Sequence, residues 1–116
     1  MEQHTVAQRS HLILADIAMA AAIRTYDPGF DLAGCLQGYG PGAVRDRWLD
    51  AHAADEALRR RVTTLANAGV QSLQSHSADQ LIDIARSYGL PLSAAAAGEI
   101  SDHFTRRREA VLTYRR

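Results

Sequence analysis

The chain has 116 residues, 47% of them hydrophobic and 22% charged, and a formal net charge of zero. That balance suits one folded domain over residues 1–116 and excludes a disordered chain; a core of this size needs neither disulfide nor metal. It gives no bulk electrostatic pull toward nucleic acid or an acidic membrane.

All thirteen basic residues are arginine, which with the abundant alanine points to a GC-rich, bacterial genome. Cys35 is the single cysteine, so no internal disulfide and no cysteine zinc site can form. A reducing cytoplasm is the expected compartment. The most apolar run, Leu12 to Ile23, is too short to cross a bilayer and carries Asp16 in its middle. With only Arg9 close before it and no clear cleavage site after it, the run is also a poor signal peptide.

The first helix is expected from Thr5 to about Tyr26, with Val6, Ser10, Ile13, Ile17 and Ala20 at spacings of three and four. Leu12, Met19 and Ile23 add a second apolar edge, as in a helix at the centre of a core or at a subunit contact. The tripeptide Asp27–Pro28–Gly29 stops it. Phe30 to Gly42 holds four of the eight glycines and reads as a loop, with a short helical turn over Leu32 to Leu36 as an option.

From Ala43 to Gln74, Val44, Trp48, Ala51, Asp55, Leu58, Val62, Leu65, Gly69 and Leu73 step by four and three. One helix or two fit this pattern, and Asp55 on the stripe favours a break near His52 to Asp55. Asp55 with Arg59 and Glu56 with Arg60 are acid-first pairs four apart. Ser77 with Gln80 has the spacing of a capping box, and Gly89, Leu90 and Pro91 form a stop signal. Ser93 is placed to cap a last helix from Ala94 to about Tyr114, with Ile100, Phe104 and Val111 inward. No alternating strand pattern occurs. The expected fold is all-α, a single bundle of four or five helices, with Ile13, Trp48, Leu58, Val62, Leu65, Leu81, Ile84 and Phe104 in the core.

Ala85 and Gly89 have the spacing of a DNA-reading helix-turn-helix. The helix that follows opens SAAAAGEISDH, without arginine or amide and with two acids, so it offers phosphates nothing. Arg106, Arg107, Arg108, Arg115 and Arg116 make a basic end that is either a patch for phosphate or an acidic partner or, the favoured reading, a solvated helix terminus. No HExxH or His pair at i, i+4 exists; the densest ligand mix is His52 with Asp50, Asp55 and Glu56, which would need His11 or His103 to complete a metal site. Asp16 has two readings: a solvent-facing acid beside Arg9 and Arg24, which is favoured, or a buried carboxylate of functional interest. Cys35 lacks a neighbouring base and reads as structural; GYGPG after it is no phosphate loop.

WLDAHAADEALRRRV followed by SADQLIDIARSYGLPLSAA resembles the Nif11-like pattern through Trp48, Leu49, Asp55, Leu58, Leu81, Ile84, Ala85, Gly89 and Leu92. The likeness covers about residues 48–97, and its stretch between Asp55 and Leu81 is longer than the family's. It implies a small helical domain that accompanies enzymes modifying ribosomally made peptides, and no catalysis by this chain. The absence of a double-glycine site and of a Cys/Ser/Thr-rich tail disfavours a precursor peptide.

The leading expectation is a non-enzymatic helical interaction protein (an adaptor, accessory subunit or regulator) without metal or cofactor, binding a protein partner or a second copy of itself. Its contact residues are expected at Ala95, Ala96, Ile100, Arg106, Arg107 and Arg108, where small side chains and cations meet. The alternative is a small enzyme or enzyme subunit with a His/Asp/Glu metal site in the bundle. A DNA-binding regulator is the weaker third reading.

Overall fold

The computed structural model describes residues 5–32, 42–90 and 92–114. Cys35 and most of its loop, Pro91, Arg115, Arg116 and the side chains of Val6 and Val111 lie outside the described residues. Five helices are present: α1 (Val6–Tyr26), α2 (Ala43–Ala51), α3 (Glu56–Leu73), α4 (Ala78–Ser87) and α5 (Ala94–Tyr114), with no strand among the described residues. No helix among them is long and apolar enough to cross a membrane.

Each boundary has a local cause. Thr5 accepts from the Gln8 amide while the Gln8 side chain returns a bond to Thr5, a capping box that opens α1. Ser77 and Gln80 repeat the arrangement at α4. Asp55 accepts from the Leu58 amide at 3.1 Å and starts α3, so the stretch from Ala43 to Gln74 is two helices. Glu56 pairs with Arg60 at 3.1 Å as its spacing predicts, whereas the Asp55 carboxylate is turned to its cap. Gly89, at φ +75°, lets the Leu90 amide reach the Ala85 carbonyl and the Gly89 amide reach that of Arg86. This left-handed closure folds Leu90 back into the core. Ser93 caps α5 through the Ala96 amide.

α1 is the central helix, lying against α2, α3 and α5, and α4 packs on α5. Leu14, Ile17, Ala18, Met19, Ala20, Ala22 and Ile23 are all buried, so the apolar girth of α1 is covered by the chain's own helices. It therefore does not argue for a second copy. Burying each large aliphatic side chain contributes about 1.5–3 kcal/mol. α1 and α3 approach closely: a Cβ built on Gly69 lies 3.2 Å from the Ala18 Cβ.

Trp48, Val62, Leu81 and Phe104 are buried as their spacing predicts, and Ile13, Leu58 and Ile84 pack partly buried against that core. Leu65 is a correction: it is 40% exposed. The buried line of α3 runs through Val62, Ala66 and Leu73, and the tight Gly69–Ala18 contact keeps that line narrow. One residue away from Ala66, Leu65 is carried around the helix into solvent.

Candidate functional site

The polar and ionisable side chains gather along α1, at three levels. In the middle, Asp16 is only 7% exposed, which corrects its solvent-facing reading. Its Oδ2 accepts from the Gly42 amide at 2.8 Å. Gly42 stands at the N-terminus of α2, where no side chain of α2's own caps the helix. Asp16 thus caps a neighbouring helix across the fold, meeting the Gly42 amide and the positive end of the α2 dipole. Burial pushes the carboxyl above its ordinary 3.8, against the opposing pull of the Gly42, Arg45 and Val44 amides and the Arg45 charge. Only the Gly42 bond meets hydrogen-bond geometry, and Oδ1 has no partner among the described residues. Desolvation outweighs the cap for that reason.

At the C-terminal end of α1, Arg24 donates to the Ser87 carbonyl at 2.8 Å and lies 4.8 Å from the Tyr88 ring centre. It closes the end of α4. Asp27, just past α1, accepts from the Trp48 indole at 3.1 Å and from His52 Nε2 at 3.0 Å. His52 stacks on Trp48 with ring centres 4.4 Å apart, and its Nδ1 faces the Trp48 carbonyl at 3.0 Å. Both ring nitrogens thus face oxygen atoms, one of a carboxylate and one of a backbone carbonyl.

At the N-terminal end, α1 meets α5. Arg9 pairs with Glu99 at 3.0 Å. Two residues on, His11 Nε2 lies 3.1 Å from the Arg107 guanidinium, with the His103 ring 5.8 Å away edge to face. Phe104 is buried against both imidazoles, at 5.1 and 4.9 Å. His103 Nε2 is enclosed without a hydrogen-bond partner among the described residues. Burial first, then the Arg107 charge and then His103, pull His11 below its ordinary 6.5.

The sequence-predicted cluster around His52 is dispersed. Asp50 is exposed, Asp55 caps α3, Glu56 pairs with Arg60, and His52 turns instead to Asp27. His11 and His103 meet each other rather than His52. No group of three or more His, Cys, Asp or Glu with metal-binding geometry occurs among the described residues. Of the expected contact residues, Ala95 is exposed and Ala96 half-buried. Ile100, at 1% exposure, is a correction: it lies in the core beside Phe104 on the inner line of α5 and offers no docking surface. Arg106 is exposed, Arg107 meets His11, and Arg108 donates to the Gln74 carbonyl at 2.7 Å, closing the end of α3.

The Asp16 cap, the Asp27–Trp48–His52 corner and the His11–His103–Arg107 seam escape sequence reasoning. Each joins residues distant in sequence, with no spacing rule to link them. The signal available was an acid or histidine standing inside an apolar helix. Comparison with protein-family models, curated proteins and solved structures finds no match to the chain.

Proposed function

We propose that this chain is a non-enzymatic helical interaction module, an adaptor, accessory subunit or regulator. Its contact surface is the outer side of α3 together with the basic end of α5. The observation that carries the reading is Leu65, a large aliphatic side chain held 40% exposed in the middle of α3. Ala68 and Ser72 are exposed beside it at helical spacing, small residues that another helix can approach closely, with the exposed Arg61 one turn before. Arg108 fastens the end of α5 to the end of α3, which holds the exposed Arg106 near the same end of the bundle.

A second observation supports the reading. Asp16, Asp27 and His52 fasten helices to one another rather than converging on one centre. The partner fitting this surface is a protein with an apolar ridge beside acidic groups. On the Nif11-like resemblance of residues 48–97 that partner is a peptide-modifying enzyme.

The test is a Leu65→Arg variant of the full chain. Its melting temperature should stay close to wild type, because surface substitutions usually stay within about 0.5 kcal/mol. The partner co-purified from the native host with the wild type should be lost, as should any self-association seen by sedimentation. An unchanged partner set with a folded variant overturns the reading.

A further inference from the structure

Arginine has no acceptor, so the 3.1 Å contact between the Arg107 guanidinium and His11 Nε2 requires that this nitrogen be unprotonated. The hydrogen bond therefore exists only with the neutral imidazole. Adding a proton turns an acceptor into a cation facing a cation at contact distance. The His103 ring closes the second side of His11 at 5.8 Å and offers no negative charge.

Among the described residues, no acid pairs with His11. Glu99 is bound to Arg9 at 3.0 Å, and Asp102 and Glu109 are exposed. Among the described residues, the other charged groups on this part of α5 are Arg106, exposed, and Arg108, bound to the Gln74 carbonyl. From the turn after α3, His76 meets the Ser72 carbonyl through Nδ1.

We propose that the α1–α5 seam is an acid-sensitive latch, in which protonation of His11 against Arg107 and His103 loosens α5 from Phe104 onward. Phe104 marks the boundary because its buried ring is covered by the two imidazoles, with Arg107 6.0 Å from its centre. Beyond it, residues 106–110 are all exposed, so little apolar packing holds that part of the helix when the seam parts. The sign follows from linkage. His11 titrates below 6.5 in the fold, so its contribution is present above 6.5 and is lost as pH falls below that value.

The decisive experiment is hydrogen exchange on the full chain between pH 7.5 and 5, corrected for intrinsic rates, with imidazole titration by NMR. Protection of α5 amides after Phe104 should fall about tenfold more than that of α4 for each unit that separates His11 in the closed and open seams. His11 should titrate below 6.5, and Arg107→Gln should move it upward. His11→Gln keeps an acceptor for Arg107 and should remove the acid response. A His11 that titrates at 6.5 or above in the wild type overturns the latch, and that measurement needs no variant to fold. An acid response that survives in His11→Gln, or a His11 titration unmoved by Arg107→Gln, overturns it equally.

Discussion

The two ends of α1 each hold a histidine against another helix, and they do so with opposite chemistry. At the C-terminal corner His52 faces two acceptors, the Asp27 carboxylate and the Trp48 carbonyl, beneath a fully buried indole. At the N-terminal seam His11 faces a donor, Arg107, and a second imidazole. The corner joins complementary groups around the largest side chain of the core. The seam joins groups that agree only while one of them is neutral. One end of the helix is thus an anchor, and the other is conditional.

The largest expected effect breaks the anchor. Trp48→Ala empties a fully buried site and strips Asp27 and His52 of a partner. It should cost about 3–5 kcal/mol in urea unfolding. A loss below about 1 kcal/mol would be that of an exposed residue and would dissolve the contrast between the ends.

Next comes the charge at each end. Asp27→Ala leaves the indole N–H and a histidine N–H without their acceptor, which should cost about 1–3 kcal/mol. Glu99→Ala, which removes an ion pair whose side chains are 39% and 44% exposed, should cost about 0–1 kcal/mol. Equal losses in the two variants would show that the seam is as firmly held as the corner.

Between the ends, Asp16 separates capping from charge. Asp16→Ala removes the acceptor for the buried Gly42 amide and should cost about 1–3 kcal/mol. Asp16→Asn keeps a neutral acceptor. The carboxyl is raised above 3.8, so its contribution is full below that value and lost as pH rises through its folded titration. At neutral pH the Asn variant should then match or exceed the wild type, while in acid its advantage disappears. An Asn variant as weak as the Ala variant at pH 7 would mean that the negative charge itself holds α2.

These contrasts also mark what the sequence makes legible. Thr5, Asp55, Ser77, Gly89 and Ser93 act within four residues of themselves, so their roles can be read from spacing alone. Trp48, Val62, Leu81 and Phe104 lie on periodic apolar lines, and the core they form was equally readable. Leu65 and Asp16 depend on which helix lies opposite and how close it comes. Periodicity gives a helix a face but not a neighbour. Ile100 points inward by its spacing and outward by the alanines before it, and the spacing prevails. The His11–Arg107 contact spans 96 positions in sequence, and no local rule reaches so far.

The last comparison sets backbone entropy against packing at two helical glycines. Alanine at either position should gain up to about 1 kcal/mol, because glycine loses more backbone freedom in a helix. Gly98, on α5 beside the Glu99 pair, has nothing within 4 Å of a built Cβ. Gly98→Ala should therefore keep the gain and raise the melting temperature by several degrees. On α3, a Cβ at Gly69 would stand 3.2 Å from the Ala18 Cβ and 3.7 Å from its Cα, groups fixed to the backbone that no rotamer can move. The helices must part by a few tenths of an ångström along a face lined with buried alanines, and overpacking of that kind costs about 1–3 kcal/mol. Gly69→Ala should consequently melt below the wild type. If both variants melt higher, α1 has slack against α3, and the firmness assigned to the interior of the bundle belongs to the Trp48 corner alone.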